Sequence, residues 1–160
     1  MTAADPFPDP DPGFRVPRDL SADLVFAATT GAVREGLARL LALPILADLG
    51  ADDRGTTELL LAEALNNVVE HAYANWPGEI RLRLSRKGGD ITVCICDQGL
   101  PMPDNAPPRG TLPVIGAPEH LPEGGFGWFL IRNLARDLAY RRQDGSNALS
   151  FRIPVDNQDD

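Results

Sequence analysis

Residues 98–124, QGLPMPDNAPPRGTLPVIGAPEHLPEG, are too dense in proline and glycine to form a helix or a strand. Any fold of this chain must therefore arrange two regular halves around one long irregular segment. A loop of that length inside a compact domain is usually functional. Before it, LVFAATT (24–30) predicts a strand. AVREGLARLLALPIL (32–46) has helical spacing at Val33, Leu37, Leu40 and Leu41, interrupted by Pro44. A second helix runs from about Thr56 to Tyr73, where WPGE (76–79) stops it. EIRLRLS (79–85) and DITVCICD (90–97) alternate with a period of two and are joined through Lys87-Gly88-Gly89 as a β-hairpin. After the irregular segment, GGFGWFLIRNLARDLA (124–139) predicts an amphipathic helix, and AYRRQ-DGSN-ALSFRIPV a second hairpin with an Asp-Gly turn. The expected fold is an α/β (α+β) two-layer sandwich, a mostly antiparallel mixed sheet with helices packed on one face. It occupies residues 19–155. A Pro/Asp-rich arm (1–18) precedes it, too polar to order itself by burial, and a short acidic tail (156–160) follows.

Charge and composition narrow the function. At 160 residues and 43% apolar the chain can bury one real core. No apolar run approaches the roughly 20 residues of a membrane span. The N-terminus lacks the basic and then apolar pattern of a secretory signal, so a cytoplasmic protein is expected. A net charge of −8 argues against nucleic acid as a partner, because phosphate contacts need a basic face. Arg81, Arg83 and Arg86 are a local basic cluster that the solvent face of a strand explains. Lys87 is the only lysine, and in SRKGGD it fits neither a P-loop nor the strand lysine of eukaryote-type kinases. Cys94 and Cys96 point to one side of a strand at a spacing poor for a disulfide and read as buried thiols.

Three constellations remain. On the helix that contains EALNNVVEHAY (63–73), Leu61, Leu65, Val68 and Ala72 form an apolar stripe, while Glu63, Asn67, Glu70 and His71 mark another face. Glu63 and Asn67 lie one turn apart and can address one ligand; a solvated face has the same pattern. In CDQGLPM (96–102), Asp97 ends an apolar strand and Gly99 follows. That is an ordinary turn, or a buried acceptor beside a glycine that lets a flat ligand approach. In EGGFGWFLIRNLA, glycines open a helix, which leaves its first N–H groups clear for an anion or merely allows close packing.

In this order and spacing the three motifs resemble the Bergerat ATP-binding fold of gyrase, histidine kinases and mismatch-repair ATPases, over roughly residues 20–155. EALNNVVEHAY and GGFGWFLIRNLARDLAY are most similar to the small anti-sigma-factor serine kinases of bacterial partner-switching systems, whose helix reads E-A-x-x-N-x-x-x-H-x-Y. The resemblance implies ATP and Mg²⁺ as cofactors. Asn67 would supply a side-chain oxygen to the Mg²⁺ and Glu63 would be general base toward a partner's serine or threonine. Asp97 would accept from the adenine amino group, with Gly99 shaping the adenine pocket. Gly125, Phe126 and Gly127 would bring backbone N–H groups to the phosphates, and residues 103–124 would be the ATP lid. His71 matches the motif as a structural position; Asn66 lies outside the matched positions. Two features depart from the wider pattern. The first glycine box, DQGLPMPD, has proline where a second glycine is common. The lid has no lysine and only Arg109 and His120 as potential cations.

The implied partners are a small anti-anti-sigma (STAS-type) antagonist as phosphorylation substrate and a sigma factor or other regulated protein to be sequestered. A homodimer is also implied. Two alternatives stay open: a non-catalytic module in which nucleotide sets affinity for a protein partner, and a stand-alone histidine-kinase-type catalytic domain.

Overall fold

The structure, a computed structural model, describes residues 20–74, 76–87, 89–111 and 126–156. The arm expected at 1–18, the lid from residue 112 on (with His120), Gly125 and the tail beyond Asp156 lie outside these residues. Five strands, β1 (Ser21–Ala27), β2 (Glu79–Lys87), β3 (Asp90–Asp97), β4 (Arg136–Gln143) and β5 (Ser146–Pro154), form one sheet in the order β1-β2-β3-β5-β4. Every ladder in it is antiparallel. Four helices accompany it: α1 (Thr30–Leu41), α2 (Pro44–Ala47), α3 (Ala51–Asn67) and α4 (Gly127–Leu134).

Alternation in the strands decides which side the helices cover. Ile80, Leu82 and Leu84 of β2, Ile91, Val93 and Ile95 of β3, and Leu149, Phe151 and Ile153 of β5 share one core with Leu40, Leu46, Leu60 and Leu65 from the helices. The opposite parity carries Cys94 and Cys96, two free, buried thiols with Sγ atoms 3.6 Å apart that pack with Ala148. Beside them Arg81 pairs with Asp23 of β1 through two hydrogen bonds of 2.9 and 2.7 Å, and Arg83 approaches the same carboxylate at 3.5 Å. Arg86 pairs with Asp48 at 2.7 Å. Each arginine of the cluster is thus paired with an acid within the domain, Arg81 and Arg83 sharing one.

Local chemistry explains most boundaries. β1 ends at Ala27, and Thr29, expected at the end of the strand, instead caps α1, its Oγ1 accepting from Ala32 N at 3.1 Å. The predicted helix over 32–46 divides at Leu43, where Pro44 starts α2 in the first-turn position proline tolerates. The second predicted helix starts earlier than expected, at Ala51. Asp52 and Asp53 favour the helix N-terminus there, and Gly55 is carried inside the helix.

One expected element is wrong in part. Helix 124–139 is replaced by α4, which stops at Leu134, and Arg136–Ala139 belong to β4. Ala135 adopts extended angles while its N–H closes on Ile131 O at 2.9 Å. Arg136, Leu138 and Ala139 are good helix formers, but Arg136 and Ala139 pair with β5 on either side of an irregularity where Asp137 has a positive φ, and that pairing outweighs local propensity. The turn at Asp144 and Gly145, both with positive φ, fixes that pairing. No helix among the described residues is long and apolar enough to cross a membrane.

Phe151 is 1% exposed at the centre of the core. Phe151→Ala is expected to lower the unfolding free energy by about 3–5 kcal/mol. Val25→Ala, on the exposed side of β1, should stay within about 0.5 kcal/mol. Urea denaturation of both variants checks this.

Candidate functional site

Asp97 is the last residue of β3 and lies opposite Asn147 of β5. Both occupy the inward parity of their strands and are buried, 4% and 3% exposed. A carboxylate there needs donors. Gly99 N at 2.9 Å and Asn147 Nδ2 at 2.7 Å both donate to Asp97 Oδ1. No donor among the described residues reaches Oδ2. It is also not among the fully buried atoms without a partner, of which Thr57 Oγ1 is the single described case. Asp97 lines a partly open cleft together with Asn67, Met102, Trp128, Tyr140 and Asn147. Burial pushes the Asp97 carboxyl above its ordinary value. Hydrogen bonds from Asn147 and Gly99 and the charge of Arg142 oppose that rise.

Asn147 ties the surroundings together. Its Oδ1 accepts from Tyr140 Oη at 2.6 Å and from Arg142 Nη1 at 2.7 Å. Its Nδ2 also reaches Leu100 O at 3.0 Å. Arg142 donates further to Gly99 O at 2.9 Å, and Tyr140 Oη accepts from Met102 N at 3.0 Å. The segment after β3 is therefore held along residues 99–102. From the other side, Tyr73 Oη accepts from Gln98 N at 2.9 Å and donates to Glu79 O at 2.6 Å, its phenol raised by burial. Leu100 N donates to Ala72 O at 2.6 Å. Gly99 is required for that contact, because a Cβ there would collide with the Ala72 carbonyl. The close approach it permits is to the chain's own backbone.

The second wall comes from α3. Its regular hydrogen bonding ends at Asn67 and widens into a π turn over Val68–Ala72, closed by Tyr73 N donating to Val68 O at 3.1 Å. Asn67 Nδ2 donates to Glu63 O at 2.9 Å, and its Oδ1 accepts from Trp128 Nε1 of α4 at 3.2 Å. Asn67 and Trp128 share the cleft with Asp97. Glu63 packs against the first residue of α4, since a Cβ on Gly127 would collide with Glu63 Oε2. That end of α4 has the first-turn backbone N–H groups, which lack partners within the helix itself, and the positive end of a helix dipole. Phe126 precedes it, partly exposed. At the other side of α4, Arg132 holds the start of the long loop, donating to Pro107 O at 2.8 Å and Pro108 O at 2.6 Å.

The sequence-predicted residues Asn67 and Asp97 thus line one cleft, and Glu63, Gly99 and Gly127 back it. Glu70 and His71, grouped with them by ideal helical spacing, are turned outward by the π turn, His71 with its side chain 74% exposed at the cleft mouth. Asn66 does not line the cleft, and Arg109 is exposed on the loop. Sequence reasoning missed Asn147, Tyr140, Arg142, the strap made by Tyr73, and Trp128. Asn147 did leave a signal: it is the polar member of an otherwise apolar inward row, Leu149, Phe151 and Ile153.

The family model described as a histidine kinase-like ATPase domain matches residues 26–153. Proteins named serine-protein kinase RsbW from Bacillus thuringiensis and Bacillus cereus are 32% identical to the chain over 100 residues. Each alignment covers 61% of this chain and 62% of the relative. The chain thus spans under two thirds of the length of the curated relatives it matches. Among solved structures, a blue-light activated histidine kinase of Erythrobacter litoralis superposes with a TM-score of 0.51 at 20% identity, covering 80% of this chain and 41% of that one. Identity at that level speaks for the fold.

The raised carboxyl of Asp97 makes a signed prediction. Between the ordinary aspartate value, about 4, and its raised folded value, the folded state holds the proton more firmly than the unfolded state. Stability from this group therefore falls as pH rises through that window. Asp97→Asn removes the effect. In urea denaturation from pH 4 upward, the stability of wild type relative to Asp97→Asn is expected to decline with pH; a flat difference would contradict the burial argument.

Proposed function

Because this chain belongs to the family of histidine kinase-like ATPase domains, which implies use of ATP, we propose that it is an ATP-dependent protein serine/threonine kinase. It acts as an anti-sigma factor in a partner-switching system. The observation that carries this is the shared cleft of Asp97, with one carboxylate oxygen left open, and Asn67, one helical turn from Glu63 at the start of α4. Adenine would donate its amino group to Asp97 Oδ2. The phosphates would meet the N–H groups of residues 125–127.

The donor set fits magnesium carried by the nucleotide. A hard Mg²⁺ needs few protein oxygens when phosphates and water supply the rest. Asn67 Oδ1 offers one, with a lone pair beyond the one Trp128 uses. No group of three His, Cys, Asp or Glu among the described residues could hold a metal ion unaided. When bound, the ion neutralises charge that develops on the transferred phosphoryl group. Glu63, half-buried against Gly127, would accept the proton of an incoming hydroxyl. The γ-phosphoryl group would then pass to that serine or threonine oxygen and leave ADP.

The substrate would be a small anti-anti-sigma (STAS-type) antagonist and the sequestered partner a sigma factor or another regulated protein, in the cytoplasm, with the kinase a homodimer. A non-catalytic module would have no use for a carboxylate packed at the phosphate end of the cleft. A histidine-directed kinase would leave acid-labile label.

The test incubates the protein with labelled ATP, Mg²⁺ and candidate antagonists, comparing wild type, Glu63→Ala and Asn67→Ala. Acid-stable label on serine or threonine is expected. Glu63→Ala should slow transfer about 10²-fold or more while ATP still binds. Asn67→Ala should weaken the response to magnesium. Binding of ATP with no labelled partner supports the binding module instead, and absence of ATP binding rejects the site.

A further inference from the structure

Trp128, the second residue of α4, is 8% exposed and sends its one polar atom, the Nε1–H, to Asn67 Oδ1 at 3.2 Å. The other end of the same amide, Asn67 Nδ2, donates to Glu63 O at 2.9 Å. An indole nitrogen only donates and a backbone carbonyl only accepts. The two partners therefore accept a single orientation of the amide. Turned over, it would set NH₂ against N–H and oxygen against oxygen.

We propose that Trp128 is a positioning residue that locks Asn67 with its oxygen on the α4 side, where a second lone pair is open to a divalent cation carried by nucleotide phosphates. This rests on the ATP-binding reading and deepens it: Trp128 makes the cleft select magnesium-bound over free nucleotide. An aromatic ring that only filled space would need no nitrogen over the amide. Placement in α4 adds a mechanical consequence. Gly127 carries the Glu63 carboxylate on its surface and Trp128 holds Asn67, so consecutive residues of α4 register both α3 side chains. A shift in the first turn of α4 releases the two together.

The substitution that isolates the N–H is W128F, which keeps an aromatic ring. Affinity for ATP carrying a fluorescent ribose tag is measured in excess Mg²⁺ and in EDTA, for wild type and W128F. The ratio of the dissociation constant in EDTA to that in Mg²⁺ is expected to fall about three- to tenfold in W128F, the scale of one hydrogen bond. A residue that acted through packing alone would change both constants by one factor, and an unchanged ratio overturns the proposal. A second readout uses wild type and does not depend on W128F folding. The indole ¹H–¹⁵N resonance of Trp128 is told from that of the exposed Trp76 with a W76F variant. It is expected to move when Mg²⁺ is added to ATP-saturated protein, and a stationary resonance overturns the proposal. If wild type binds no ATP, the functional reading fails and this inference with it. If wild type binds ATP more tightly with Mg²⁺ and W128F gains as much, the inference alone fails.

Discussion

The buried pair of Asp97 and Asn147 is the constraint around which the rest of the domain is arranged. A carboxylate and an amide on the inward side of neighbouring strands must satisfy each other or be costly, by about 1–3 kcal/mol for each group left unpaired. Here the amide serves as donor to the carboxylate and as acceptor for Tyr140 and Arg142, so one residue joins β3, β4 and the segment after β3. The geometry is consistent only if the last hairpin of the chain sits directly beside the strand that ends in Asp97. The cleft therefore exists only when both halves of the chain have come together.

The opposite wall depends on an irregularity. Had α3 continued as a regular helix, Glu63, Asn67, Glu70 and His71 would have remained one face. The π turn after Asn67 leaves the first two against α4 and turns the last two to solvent. The same turn brings the Ala72 carbonyl against Leu100 N, which is where Gly99 becomes necessary. The wide turn of α3 and the glycine after β3 are thus one packing solution. It holds the Asp97 side and the Asn67 side of the cleft at a fixed separation, as a site for a rigid ligand requires.

Legibility differed by element for physical reasons. The hairpin 79–97 was plain because alternation and turn glycines agree locally and globally. β3 runs as expected from Asp90 to Asp97. The helix ends sooner than its composition suggests because Arg136 and Ala139 pair with β5, which follows them in sequence, across an irregularity where Asp137 takes a positive φ. In the site, Glu63, Asn67, Asp97 and Gly127 were readable since motif spacing on a helix or at a strand end fixes their neighbourhood. Asn147, Tyr140 and Trp128 were not, because their roles depend on partners 50, 38 and 61 residues away.

By itself, the sequence determined that the chain would be a helix-covered antiparallel sheet, and it marked a polar helix face, an aspartate at a strand end and a glycine-led helix as the candidates for its chemistry. Periodicity and turn residues act over a few positions, and that range suffices to set element type and face. Only the tertiary structure decided that Asp97 would keep one oxygen open, that Gly99 would answer to Ala72, and that Asn67 would be held by an indole. Each of these is settled by which donor or backbone atom arrives from a distant part of the chain, and no local pattern encodes that.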